Sequence, residues 1–553
     1  MTVDLRRNAL WGKRSADVVI VGAGAAGILM ARRLLALGRS VMLLESGGLD
    51  YETDIAELNA GASVGRDYYP LQNSRLRFFG GTTAIWGGRC AELDPVDLQT
   101  RDWVPHSGWP IEYDELVRYY REARPLFGLP RMAPNAGDFE AAGLRLPSFS
   151  NSTLKTRFWA FDPQFSRFTY GACEDLRRHP RCTIVTHATV TSIELDASAQ
   201  TVKSLRVCAH GGNQVTLQPR ETVLAAGGIE NARILLASRS VMTAGVGNAD
   251  DQVGRYFMEH PHARGGRVVG GNPWRLLKLF GRRHCLSGLD VAALVTPSAA
   301  LQRRAGILNT SLTIAGRQPA DAAQFWGMRV YGGLKHDMSP TRAGRALWMG
   351  TKKAAGWAQR HIDPLRPWLL NWAGRNEIAL VVRAEQAPNP DSRVTIGPET
   401  DALGMPRPVL DWRLSEIDKR SVSILVDTLG TELERLGLGR VERAAWLNIA
   451  DETWRTDPLV SSHPIGGFHH MGTTRMSRSP RNGVTDDTGR VHGVANLHIA
   501  GSSLFPTGGW ANPTLTIAAL ALRTADKIAA HPRPGPQSIF EEKGLLNDHA
   551  VSA

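Results

Sequence analysis

The chain has 553 residues, 42% apolar and 21% charged, with 56 glycines and 31 prolines, a globular composition that excludes a disordered or collagen-like protein. No apolar run approaches the ~18 residues of a spanning helix, and five scattered cysteines without a C-x-x-C pair exclude a zinc knuckle or disulfide framework and suggest buried thiols. The formal charge of +12 is concentrated: 342–375 holds seven basic side chains against one acid, and 273–283 holds four with none.

The first predicted elements lie in 17–45, DVVIVGAGAAGILMARRLLALGRSVMLLE, which reads as strand, glycine turn, helix and a second strand ending in an acid. Gly22, Gly24 and Gly27 fit the dinucleotide fingerprint: a tight turn, a close approach to a pyrophosphate, and close packing of helix on strand. The phosphates would sit at the electropositive helix start. Glu45 would accept the ribose hydroxyls and repel a 2'-phosphate. The fingerprint alone does not separate NAD from FAD, but with no second complete copy and no redox cysteine pair, FAD as the only tightly held nucleotide fits best.

Further on, the chain carries RLRFFGGTTAIWGG at 75–88, VLAAGGIENARILLASR at 223–239, VGRYFMEHPH at 253–262, EQAPNPDSRVTIG at 385–397, HHMGTTRM at 469–476, and a long block at 491–528. In this order the segments resemble the glucose-methanol-choline (GMC) family of flavin-dependent alcohol oxidoreductases, in its bacterial branch related to pyranose oxidases and sugar dehydrogenases. The resemblance implies an α/β fold (α+β overall). An FAD-binding Rossmann-like domain with a largely parallel sheet would take 15–95, 160–260 and 462–532. An inserted helical and loop region would take 96–159, a substrate domain with an antiparallel sheet 261–461, and a loose tail 533–553.

The family's H-x-x-G-T register selects His469 as catalytic base, with Asn512 as its partner before the final helix. A neutral imidazole has an ordinary pKa near ~6.5 and suits removal of a hydroxyl proton. Asn512 would hold the alcohol oxygen by donating an amide hydrogen. With Pro513 next, Asn512 also reads as a helix cap whose electropositive end would favour the reduced flavin. In the GGTTAIWGG loop, Gly81, Thr82, Thr83, Trp86, Gly87 and Gly88 would cover the flavin. Ala25, Ser46, Val190, Ala226, Gly501, Ser502, Pro513 and Thr514 complete the implied cofactor set. Ile85 precedes Trp86 where some relatives use a histidine to attach flavin, so the resemblance implies non-covalent FAD. Phe468, His470, Trp510 and Gln386 are candidate substrate contacts, and no metal is expected.

On a helix, Leu347, Trp348, Ala354, Ala355, Ala358 and Ile362 share one arc, and Arg342, Arg345, Lys352, Lys353 and Arg360 another. Four tryptophans fall in 342–375. This suits either a peripheral contact with an anionic membrane or a helix covering the substrate domain or a dimer contact. The expected activity is oxidation of an alcohol on a sugar, cyclitol or glycoside to a carbonyl. The alternatives are a dehydrogenase of a hydrophobic, lipid-like or aromatic alcohol at a membrane, and a non-catalytic module, against which Glu45, His469 and Asn512 argue. The electron acceptor (oxygen, quinone or carrier protein) stays open. Nucleic acid is not an expected partner, and the expected location is cytoplasmic, with peripheral attachment to the inner membrane face as an option.

Overall fold

The structure, a computed structural model, describes residues 1–8, 16–164, 166–320, 322, 341–461 and 463–531. The tail expected at 533–553 lies outside the described residues, as do the side chains of Arg342, Trp348 and Lys352. Strand Val18–Val21 is buried along its whole length, as a β-branched run must be when helices cover both faces of a parallel sheet. It sits inside a six-stranded sheet ordered Thr2–Asp4, Cys182–Thr186, Val41–Leu44, Val18–Val21, Glu221–Leu224, Leu497–Ile499, parallel throughout. The glycine turn leads from Val21 into helix Ala25–Ala36, which packs on the terminal helix Thr514–Ala530.

A second, antiparallel sheet carries the other half of the molecule. Its order is Arg440–Arg443, His262–Val269, Glu377–Arg383, Ser311–Arg317, Leu289–Pro297, Leu154–Phe161 and Arg89–Cys90. Helix Glu416–Arg435 buries Leu425, Leu429 and Leu433 against the sheet residues Leu380 and Val382 in one apolar core. Leu154–Phe161 straddles the boundary expected at 159/160 and is a strand of this sheet, paired with Leu289–Pro297. Strand Arg393–Thr400 pairs with Pro406–Trp412, which runs parallel to Ala62–Gly65 of the nucleotide half.

Helix Arg342–His361 starts with Thr341 capping the Gly344 N–H at 3.0 Å. It ties the two halves together: Arg345 pairs with Asp50 and stacks over the Phe78 ring, while Arg360 approaches Asp290 at 3.5 Å. Its expected apolar arc is turned outward, with Leu347, Ala354, Ala355 and Ile362 exposed. Among the described residues no helix is long and apolar enough to cross a membrane. Of the five cysteines, Cys90, Cys173 and Cys182 are buried, Cys208 is half-buried, and Cys285 is exposed, contrary to expectation.

Candidate active site

A cavity of about 1360 Å³ runs from the glycine turn to the antiparallel sheet, larger than the ~300–1,000 Å³ usual for a single small-molecule site. At its inner end Gly22 has φ +106°, and a Cβ there would lie 2.6 Å from the Ala225 carbonyl oxygen. A Cβ on Gly24 would meet nothing within 4 Å; its α-position faces open cavity, beside a helix start that no side chain caps. Gly27 does not line the cavity; its Cβ would lie 2.0 Å from the Gly22 carbonyl oxygen, so its role is packing. Glu45 is buried at the strand end, accepting from Ala23 N at 3.0 Å and Gly47 N at 2.9 Å. Burial pushes its carboxyl up, against these two donors and the Arg77 charge.

Ala25, Ser46, Val190, Ala226, Gly501, Ser502, Pro513 and Thr514 all border this cavity. So do Gly81, Thr82, Thr83, Trp86 and Gly87, while Gly88 is buried outside it. The loop is a 3-10 turn, Gly81–Ile85, pinned by Gly80 N donating to Ala23 O at 2.8 Å. Beneath it Glu230 meets Arg75 at 2.5 Å and Arg77 at 3.1 Å. Although burial opposes its charge, Arg77, Arg233 and Arg75 hold Glu230 well below the usual carboxylate range.

An uncapped helix start behind glycines, with an acid at the neighbouring strand end, fits the pyrophosphate and ribose of FAD. Deeper in the cavity stands His469, its side chain 16% exposed. Asn512 donates from Nδ2 to His469 Nε2 at 3.2 Å. The terminal helix begins at Thr514 with Pro513 already helical (φ −69°, ψ −17°) and no side-chain cap, so Asn512 serves the imidazole instead of the cap predicted for it.

The other face of His469 meets a residue that sequence reasoning missed. His260 Nδ1 lies 2.7 Å from His469 Nδ1, and His260 Nε2 lies 2.8 Å from the Gly509 carbonyl. A carbonyl only accepts, so His260 carries its proton on Nε2 and presents an unprotonated Nδ1. His469 must then donate from Nδ1, which leaves its Nε2 as the basic nitrogen beside Asn512. The tautomers follow from the network. Glu259 is fully buried and accepts from the backbone N–H of His260 at 2.8 Å, of Gly467 at 3.1 Å and of His469 at 2.9 Å, and from the Tyr68 hydroxyl at 2.7 Å. A Cβ on Gly467 would come within 2.6 Å of the His469 ring. Burial first, then the neighbouring His260, holds His469 well below the ordinary histidine range, so it stands neutral.

Phe468 and His470 line the cavity; Trp510 and Gln386 do not. Trp510 is buried and donates to Asp94 Oδ2 at 3.0 Å. The Gln386 amide oxygen takes Glu259 N at 2.9 Å and Trp412 Nε1 at 3.0 Å. Both are held away from the cavity by these bonds; for Trp510, a place two residues before Asn512 in sequence does not aim the side chain at the site. His470 is held down to about 3 by burial and by Arg75, and its ring meets the Tyr68 hydroxyl at 3.0 Å. Away from the cavity, Glu221, His498 and His531 bring three potential metal-binding atoms within 4.8 Å of one another, a grouping the sequence reading had not singled out.

A family model described as GMC oxidoreductase matches residues 388–521, and one described as FAD dependent oxidoreductase matches residues 17–281. Paromamine 6'-oxidase of Streptomyces fradiae is 25% identical, over 93% of this chain and 91% of its own length. The fructose dehydrogenase large subunit of Gluconobacter japonicus is 22% identical, over 93% and 98%. The crystal structure of pyridoxine 4-oxidase from Mesorbium loti superposes with a TM-score of 0.52 at 18% identity, covering 94% of this chain and all of that one.

Proposed function

The chain belongs to the GMC family of FAD-dependent oxidoreductases acting on CH–OH groups, and from that premise we propose that it oxidises an alcohol of a sugar, cyclitol or glycoside to the carbonyl. The sugar class is supported by relatives named for paromamine and fructose. The observation that carries the reading is the unprotonated Nε2 of His469 beside Asn512, on the wall of the cavity that also contains Gly22, Gly24 and Glu45. FAD, when bound, supplies the acceptor for the hydride leaving the carbinol carbon. The chain's own part is the proton. His469 Nε2 takes it from the hydroxyl, and the Asn512 amide hydrogens hold the oxygen as its negative charge develops. The Gly509–His260 pair keeps the base in the right tautomer.

FAD is held non-covalently in this reading, supported by Ile85 in place of an attaching histidine. Acid precipitation should release all the flavin into the supernatant. The test of the chemistry is anaerobic mixing of the yellow protein with a panel of polyols while following loss of the visible flavin band. His469→Ala should keep its flavin and bleach ~10² to 10⁴-fold more slowly; unchanged bleaching would remove the base.

A second reading concerns where the enzyme works. Leu347, Trp357, Ile362, Leu365, Leu369 and Trp372 are all exposed within the basic segment 342–375, Trp372 by 80%. Exposed apolar groups within a basic segment suit peripheral attachment to an anionic bilayer. Co-sedimentation with phosphatidylserine vesicles, lost in Trp357→Ser with Trp372→Ser, is expected; equal recovery with neutral vesicles would reject it.

A further inference from the structure

The outer end of the cavity is cationic. Arg89, Arg283, Arg317, Arg366, Arg375 and Arg383 line it, whereas the carboxylates on the cavity wall, Glu45 and Glu230, belong to the nucleotide end. Three of these arginines alternate with aromatic rings. The Arg283 guanidinium lies 3.7 Å over Phe161, Arg89 lies 5.7 Å from Phe161 and 5.2 Å from Trp159, and Arg383 lies 5.2 Å from Trp159. The ladder stacks on one strand, where Trp159 and Phe161 are two residues apart and therefore share a face.

The same sheet supplies its own control. Arg264, level with Val381 and on the face of Arg383, is paired with both Glu377 and Asp457. Among the described residues Arg383 has a single hydrogen bond, to the Thr313 hydroxyl at 3.3 Å. Within the same residues Arg317 bonds only the carbonyls of Val460 and Gly316, each at 2.8 Å. Arg283 meets Asp290 no nearer than 3.9 Å. Among the described residues, then, Arg317 and Arg383 have no carboxylate partner. A buried guanidinium cannot shed its proton, and leaving it unpaired is costly. Burial and neighbouring cations press against the charge of Arg317, Arg283 and Arg383. Arg383 stands level with His262 across the strand pair, and both line the cavity with His469, which puts the ladder on the side of the cavity that holds the imidazole pair.

We infer that the alcohol substrate carries an oxyanion, a carboxylate, phosphate or sulfate, seated on Arg317 and Arg383 while its hydroxyl meets His469. The inference rests on the oxidation proposed above and narrows it. An acidic glycoside or sugar phosphate completes the ion pairs left open among the described residues. An amine-bearing sugar meets like charge.

The test uses FAD-loaded protein at low salt and two readouts. Calorimetry compares methyl glucuronide, glucose 6-phosphate, neutral methyl glucoside and paromamine as ligands; anaerobic bleaching compares them as reductants. One or both anionic probes should bind at least about tenfold more tightly than methyl glucoside. Paromamine should bind weakest, and the anion preference should shrink in Arg383→Gln, in Arg317→Gln and at high salt. Glucuronide against phosphate then identifies the oxyanion. Equal binding of neutral and anionic probes, or a preference that survives both substitutions, would overturn the inference. Anion preference without bleaching by any alcohol would leave the anion seat standing and reject the oxidation.

Discussion

In the proposed reaction His469 acts through its neighbours as much as through its own ring. The Gly509 carbonyl dictates the proton of His260, which dictates that of His469, so one backbone oxygen selects the base two rings away. His260→Ala should therefore retain flavin but bleach ~10 to 100-fold more slowly. His260→Asn, whose amide oxygen can accept from Nδ1, should recover part of the loss and restore the shape of the pH profile. A purely structural histidine would show no such rescue. Because burial favours the neutral ring, the acid limb of bleaching should fall below the ordinary histidine pKa of 6.5. His470 carries a stability consequence. Its folded pKa of about 3 lies under the ordinary 6.5, so between those values the unfolded chain binds the extra proton and this residue's contribution to stability falls as pH falls. Melting curves at pH 7, 6 and 5 should show His470→Phe losing less than the parent chain on acidification.

At the level of elements, the parts legible in the sequence were those with a strong local cause. Val18–Val21, the glycine turn and Ala25–Ala36 were readable because β-branching, forced backbone geometry and helix periodicity agree within twenty residues. Gly27→Ala tests that reading. A methyl 2.0 Å from the Gly22 carbonyl must push helix from strand, so the variant should purify with less flavin and lose ~1–3 kcal/mol of stability, measured by absorbance ratio and melting. Thr2–Asp4, three residues long, gave no periodicity to read, and Leu154–Phe161 mixes buried and half-exposed positions without clean alternation. Glu259 and His260 were overlooked although a buried acid and imidazole in the run YFMEHPH require partners; nothing local says which partners they find. Trp510 shows the opposite limit, since nearness along the chain said nothing of where its side chain points.

Across the whole molecule, the charge excess visible as two basic stretches resolves into two different environments. Part of it stands on the outer surface among exposed apolar groups, and part lines the cavity, where Arg317 and Arg383 come from strands that the sequence reading expected only as an unnamed antiparallel sheet. The arginine ladder could not be seen in advance because its rungs come from residues 89, 159, 161, 283 and 383, far apart in the chain and brought together only by the folded sheet. The parallel sheet has the same property on a larger scale. Its strands start at residue 2 and end at residue 499, and the last of them lies beside Glu221–Leu224, with the helix after it against Ala25–Ala36. During synthesis the ribosome must therefore deliver almost the entire polypeptide before this sheet can close, so a nascent chain stopped before residue 469 should emerge colourless and depend on chaperones for want of its last strand and helix.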